Sequence, residues 1–296
     1  MAILIDANTR IVIQGMTGVI GRNLTQRLLS ENSPLVAGVS PGRGGQQVEG
    51  LPVFDSCYRA VRETGADASF VSVPAARARD AVMEAIDAGL HTIVVYAEGV
   101  PVRDAVEMRA YARYRGARLL GPNAAGCISP GLANLSDLNA DWLRPGPVGI
   151  VSKSGTLTYE VIDGLNRQGL GQSSVVCLGG DPVVGMWHAP VLELFEADPQ
   201  TRVAVLVGEI GGRSELEAAA FIQRMKTPVV AYIAGRHAPA GKRMGHAGAL
   251  MGRPEENVPG KQAALAEAGA RVVDSLTQIG GAVRQILKAA KLESFP

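Results

Sequence analysis

The residues best suited to covalent chemistry lie in Gly241-Lys242-Arg243-Met244-Gly245-His246-Ala247-Gly248-Ala249. His246 stands among small or cationic neighbours, so its ring can be approached closely, and Lys242 and Arg243 favour an anion nearby. This suits a nucleophilic histidine on a loop, carrying a phosphoryl or similar group. A Gly/Ala-rich loop with an incidental surface histidine is the non-chemical alternative. Glu209, in Gly208-Glu209-Ile210-Gly211-Gly212, is a single carboxylate after a strongly apolar run. A carboxylate on one ring nitrogen of a histidine fixes the tautomer, frees the other nitrogen to attack and stabilises developing imidazolium character. Its alternative reading is an acid at a helix start. The third candidate is Ser152-Lys153-Ser154-Gly155-Thr156-Leu157-Thr158-Tyr159-Glu160, a hydroxyl-rich turn opening a helix. There Ser154, Thr156 and the free N–H groups of the first helical turn could hold an anion, or Ser154 could simply cap the helix. His91, His188 and His237 have no partner motif, and no Cys/His spacing suggests a metal site.

Positioning these residues requires strands that end at them. Arg10–Gln14 reads as a buried strand running into Gly15-Met16-Thr17-Gly18-Val19-Ile20-Gly21 and an amphipathic helix. That strand, glycine turn and helix suit close approach of a phosphate, although G-x-x-G-x-x-G is a weak signal alone. Leu35–Val39 is a second strand, ending at Ser40-Pro41-Gly42-Arg43-Gly44-Gly45. No acid follows it to bind the ribose of NAD, whereas Arg43 could meet a terminal phosphate of NADP or coenzyme A. Further strands at 68–73, 91–96 and 117–120 end at Val73-Pro74, Glu98 and Asn123. A second series begins at Val148 and places Ser154, Asp181, Glu209 and His246 after strand ends. Such alternation predicts two parallel sheets with helices on both faces, and ligands at the carboxyl ends of the strands. The turn formers between 127 and 147 show no sustained period and read as a linker.

Composition narrows the function class. The chain has 296 residues, 47 % hydrophobic and 19 % charged, enough for two packed domains and against disorder. Aromatics are 4 %, too few for a stacking platform, and the net charge of +1 with no basic tract gives no footprint for nucleic acid. No apolar run is long enough to span a membrane, and the N-terminus lacks the pattern of a signal peptide. Three scattered cysteines, Cys57, Cys127 and Cys177, suit a reduced cytoplasmic protein.

The motifs form one ordered set. Gly15-x-Thr17-Gly18, Ser40–Gly45, Val73-Pro74-Ala75, Glu98–Pro101 and Gly121-Pro122-Asn123 are followed by Ser152–Glu160, Gly179–Pro182, Gly208–Gly212 and Gly241–Ala249. The chain thereby resembles the succinyl-CoA synthetase (succinate–CoA ligase) α-subunit family over essentially its whole length. The resemblance implies an α/β protein: an N-terminal Rossmann-like CoA-binding domain over 1–128, a linker over 129–147 and a flavodoxin-like ligase domain over 148–296. It places the phosphohistidine on His246, the orienting glutamate on Glu209 and the phosphate-binding helix start on Ser154, Gly155 and Thr156. Coenzyme A contacts fall on Thr17, Gly18, Ser40, Arg43, Val73, Pro74, Tyr96, Ala97, Glu98 and Asn123. It also implies a β subunit with an ATP-grasp domain holding ATP or GTP with Mg2+, and a small carboxylic acid substrate.

The chain departs from the family pattern at Val19-Ile20-Gly21, where a polar residue is usual, at Arg43 for lysine, and at Ala124-Ala125 for Cys-Pro. It departs again at 134–139 and at Met186-Trp187-His188. These changes gather near the CoA pocket and the linker, and leave the acid open among succinate, malate, citrate and similar compounds. Two readings of other classes are an NAD(P)-dependent dehydrogenase and a non-catalytic CoA-binding regulatory subunit. The first leaves the His246 stretch unexplained, and the intact His246 and Glu209 weigh against the second.

Overall fold

The computed structural model describes residues 2–239, 244–250 and 252–290. Its first half runs β1 (Ile11–Gln14), α1 (Val19–Ser30), β2 (Leu35–Val39), β3 (Gln47–Val48), β4 (Leu51–Phe54), α2 (Cys57–Thr64), β5 (Ala68–Val71), α3 (Ala75–Asp87), β6 (Thr92–Val95), α4 (Val102–Arg115) and β7 (Arg118–Leu120). Every residue of β1, β5 and β6 is buried. Helices cover both faces of the sheet, so these strands are continuous apolar runs and not alternating ones. The helices carry the complementary stripe: α1 buries Gly21, Leu24, Thr25 and Leu28 at helical spacing. Seven strands form one sheet in the order β3-β4-β2-β1-β5-β6-β7. Because β2 and β5 flank β1 on opposite sides, the connections diverge there and open a crevice beyond the carboxyl ends of β1 and β5.

The second half runs β8 (Gly126–Ser129), β9 (Ala133–Ser136), β10 (Pro145–Ser152), α5 (Gly155–Asn166), β11 (Gln172–Cys177), α6 (His188–Ala197), β12 (Val203–Glu209), α7 (Ser214–Ile222), β13 (Val229–Ala234), α8 (Val258–Glu267), β14 (Arg271–Val272) and α9 (Ile279–Ala289). Its sheet has the order β14-β13-β12-β10-β11-β8-β9. The strands β11 and β12 flank β10 as parallel neighbours, so a second switch point lies beyond Ser152 and Glu209.

The expected linker over 129–147 holds β9 and the ends of β8 and β10. An antiparallel hairpin of β8 and β9 extends the second sheet by pairing with β11. Its turn formers, Pro130 and Gly131, make the hairpin bend, with Gly131 at φ 76 and Leu132 N–H donating to Ser129 O at 3.0 Å. Asn134 and Ser136 are buried yet polar. Asn134 Nδ2 donates to Glu31 at 2.7 Å and to Leu138 O at 2.9 Å, which is why no hydrophobic period marks this strand. The two halves share an apolar core that includes Ile13, Phe70 and Leu120 from one and Leu135, Leu178 and Leu206 from the other. Backbone bonds tie them as well: Gly121 N–H donates to Leu178 O at 2.9 Å and Gly180 N–H to Asn123 O at 3.1 Å. Among the described residues no helix is long and apolar enough to cross a membrane.

Candidate active site

The turn bearing His246 is held by a backbone bond to Gly180 and closed by one of its own. Gly248 N–H donates to Gly180 O at 2.9 Å, and Ala249 N–H to His246 O at 3.1 Å. The imidazole lies flat against Gly180. A Cβ added there would stand 2.5 Å from ring atoms Cδ2 and Cγ, so only glycine admits the ring. Lys242 and Arg243, expected to attract an anion here, lie outside the described residues.

Glu209 ends β12, within the sheet and buried; it is not at a helix start. Its Oε2 accepts a hydrogen bond from His246 Nδ1 at 2.6 Å. A carboxylate can only accept, so the ring's proton sits on Nδ1 and its Nε2 carries the lone pair. Nε2 has no hydrogen-bond partner among the described residues. The hydrogen bond to Glu209 raises the His246 pKa above the ordinary histidine value, against desolvation, with the charge of Glu209 adding to the rise and Lys153 opposing it.

Lys153 and Glu209 follow from neighbouring parallel strands. Lys153 N–H donates to Val207 O at 3.1 Å, and its ammonium lies 3.5 Å from Glu209 Oε1, both side chains nearly buried. Beneath them Lys261, fully buried on α8, donates to Glu209 O at 2.7 Å, Gly211 O at 2.6 Å and Glu215 Oε2 at 2.5 Å. Burial alone would raise the pKa of Glu215, but the charges of Lys153 and Lys261 outweigh it and hold the group down to about 2. Glu215 Oε1 in turn accepts from Glu209 N–H at 3.1 Å. The turn after β12 is thus fixed by a buried ion pair that no local sequence pattern announces.

The helix start opposite is α5. Ser154 caps it by accepting from Leu157 N–H at 3.2 Å, while Ser154 N–H donates to Ser152 Oγ at 3.1 Å. The capping reading therefore holds, yet the N–H groups of Gly155 and Thr156 keep no acceptor among the described residues. The first turn remains open to an anion. His246, Ser154, Gly155 and Thr156 line one cavity of about 490 Å³ together with residues from the first half, among them Val73, Pro74, Tyr96, Ala97, Glu98 and Asn123. Both switch points thus face the same space. Asp181 ties the two halves together: its carboxylate accepts from Gly99 N–H at 3.1 Å and Val100 N–H at 3.2 Å. Burial raises the pKa of Asp181, an effect only partly offset by those two hydrogen bonds.

Four expected contacts do not line this cavity. Thr17 and Ser40 bond to each other, Oγ1 to Oγ at 3.1 Å, beyond β1 and β2. Gly18 and Arg43 are exposed on that same edge. They stand apart because β2 lies on the far side of β1 from β5. Ile20, Ala124 and Ala125, departures from the family pattern, also line the cavity, as does Ser72, the neighbour of Val73. His188 is fully buried, with Nδ1 2.7 Å from Ser214 Oγ and Nε2 3.2 Å from Val207 O, and burial pulls its pKa down to about 4. It is a satisfied core histidine. A second cavity, of about 480 Å³ between Arg109, Arg113, Trp187 and Glu193, has no histidine in its lining.

Fold and site together define an acid-activating CoA ligase component. Residues 6–99 match the CoA binding domain family and residues 151–273 the CoA-ligase family. The chain is 50 % identical over 287 residues to succinate–CoA ligase [ADP-forming] subunit alpha 2 of Archaeoglobus fulgidus, covering 97 % of this chain and 100 % of that one. It is 46 % identical over 296 residues to the corresponding subunit alpha of Aquifex aeolicus, covering 99 % and 97 %. Among solved structures, ATP citrate lyase of Methanosaeta concilii in complex with (3S)-citryl-CoA superposes with a TM-score of 0.92 at 27 % identity. That match covers 99 % of this chain and 52 % of the other, so the chain spans about half of that larger protein. The chain belongs to the succinate–CoA ligase α-subunit family.

Proposed function

We propose that this chain is the catalytic α subunit of an ADP-forming succinate–CoA ligase and carries the phosphoryl group on His246. The observation that carries the reading is the 2.6 Å bond from His246 Nδ1 to Glu209 beside the open first turn of α5. Neutral Nε2 attacks the γ-phosphorus of ATP; the N–P bond forms as the bond to the β-phosphate oxygen breaks, and ADP leaves. Glu209 keeps the proton on Nδ1 and stabilises the positive charge the ring acquires. The free N–H groups of Gly155 and Thr156 offer donors to the phosphoryl oxygens. A carboxylate oxygen of succinate then takes the phosphoryl from Nε2, and the ring returns to its neutral form. When bound, coenzyme A would supply the thiol that takes up the acyl group from the acyl phosphate, with inorganic phosphate as the leaving group. Val73, Pro74, Tyr96, Ala97, Glu98 and Asn123 would hold its reactive end beside His246, and Thr17, Gly18, Ser40 and Arg43 its phosphate-bearing end. Two separated clusters suit an elongated ligand. Mg–ATP would reach His246 from a β subunit with an ATP-grasp domain, the two chains together forming a cytoplasmic ligase.

The likeness to a citryl-CoA complex favours a larger acid as the second reading. The test is labelling of the assembled complex with γ-³²P-ATP and Mg2+. An acid-labile, base-stable label is expected, and label persisting in His246→Asn would refute the assignment. A panel of acids assayed for CoA-dependent ADP release should rank succinate first; citrate ahead of succinate would replace it.

A further inference from the structure

Glu209 has two carboxylate oxygens and the described reaction uses one. Oε2 accepts from His246; Oε1 is buried and is one of two buried side-chain atoms without a hydrogen-bond partner among the described residues. A buried carboxylate oxygen left in that state is costly. What faces it is the Lys153 ammonium at 3.5 Å, on a side chain only 10 % exposed. Lys153 does not reach this place by chance of rotamer: its backbone is pinned to β12 through Val207 O, and it immediately precedes Ser154, the cap of α5. One residue therefore joins the orienting carboxylate to the anion-binding helix start.

Charge sharpens the point. The buried cluster contains two carboxylates, Glu209 and Glu215, and two ammonium groups, Lys153 and Lys261. It is neutral when the His246 ring is neutral, the form that attacks phosphorus. Lys261 is already committed to Glu215 and to the carbonyls of Glu209 and Gly211, so it cannot replace Lys153. Among the described residues, the other groups facing His246 are Glu98 from the loop after β6, exposed and anionic, and Asp181 from the turn holding Gly180, which is bonded to Gly99 and Val100. Neither supplies a cation. Without Lys153 the four-charge cluster would carry one net negative charge, and it would draw a proton onto the ring.

We infer that Lys153 is a positioning residue for phosphoryl transfer: it holds Oε1 of Glu209 so that Oε2 meets His246 Nδ1, and it offsets the carboxylate's charge at the ring. This rests on His246 being the phosphoryl carrier. The direction in which Lys153 acts on the His246 titration agrees with it.

The test measures single-turnover labelling of the assembled complex against pH for wild type, Lys153→Met, Lys153→Gln and Lys153→Arg, with coenzyme A binding and thermal midpoint as controls. Lys153→Met and Lys153→Gln should label about tenfold or more slowly at neutral pH. Their acid limb should move up by about one pH unit, as expected on losing one nearby cation. Lys153→Arg should restore the limb. Coenzyme A affinity should stay at the wild-type value. Neutral variants with wild-type rate and limb would overturn the inference. So would neutral variants that lose labelling, coenzyme A binding and thermal stability together, since Lys153 would then be only structural. Absence of label from His246 in the wild type would instead sink the phosphohistidine reading, and so is distinguishable from failure of the Lys153 inference alone.

Discussion

Replacing Glu209 by glutamine removes one charge and leaves the shape. In wild type the carboxylate accepts from Nδ1 at 2.6 Å and faces a ring that becomes positive as Nε2 bonds to phosphorus. Two unit charges about 4 Å apart interact by about 4 kcal/mol at an effective dielectric of about 20. The His246 side chain remains 25 % exposed, so solvent screening leaves roughly half, about 2 kcal/mol. That corresponds to about a thirty-fold loss in rate. If the glutamine turns its amide N–H toward the ring, Nδ1 must accept, the proton moves to Nε2 and the nucleophile is blocked. A mis-set tautomer of this kind costs up to about 10⁴-fold in the serine-protease triad. Glu209→Gln should therefore lower the labelling rate by about thirty-fold to 10⁴-fold, with coenzyme A affinity unchanged. The pH profile has a definite sign. The carboxylate raises the His246 pKa, so wild type loses its neutral ring as pH falls through that raised value. Without the carboxylate the ring stays neutral to lower pH, and the acid limb moves down, opposite to the effect expected for Lys153→Met. Rapid-quench labelling across pH measures both quantities. A rate within about threefold of wild type together with an unmoved limb would refute the orienting role.

Gly180→Ala should cut labelling by more than tenfold, because the new Cβ would stand 2.5 Å from the imidazole and push the ring off Glu209. Overpacking of that kind costs about 1–3 kcal/mol, and thermal denaturation of the same sample should fall accordingly. Lys261→Met leaves Glu215 and two carbonyls buried without their donor. Breaking a buried pair from one side costs about 3–5 kcal/mol, to be read from denaturant midpoints; Lys261→Met with Glu215→Gln should recover part of it. All three cysteines are buried, and burial raises each thiol's pKa, that of Cys177 to about 11. The native chain should resist iodoacetamide at pH 8 and react at all three cysteines once unfolded, as mass spectrometry would reveal.

The site was legible in sequence to the extent that its chemistry is local. A histidine among small residues, a lone carboxylate after an apolar strand and a serine-led helix start each follow from a few adjacent residue types. The alternation of apolar runs and glycine turns put all three at strand ends. Legibility failed where a residue's partner lies far along the chain and no period links them. Asn134 and Ser136 look like loop residues until Glu31 and Leu138 satisfy them, which is why a hairpin read as a linker. Thr17 and Arg43 were expected with Val73 and Glu98 as coenzyme A contacts; that they stand apart from the cavity is set by strand order, since strand ends in sequence carry no record of which side of β1 each strand occupies.

By itself, the sequence determined most of the element types, the two mainly parallel sheets and the choice of His246 and Glu209 as candidate nucleophile and carboxylate, because hydrophobic period and turn chemistry act within a few residues. The tertiary structure alone decided that the two switch points face one cavity, and that Gly180 makes room for the imidazole. It also placed Lys153 and Lys261 around Glu209, the latter 52 residues away in the chain. Those are matters of strand order and helix packing. They bring charges together at low dielectric, where a single ammonium or carboxylate changes which protonation state the histidine prefers.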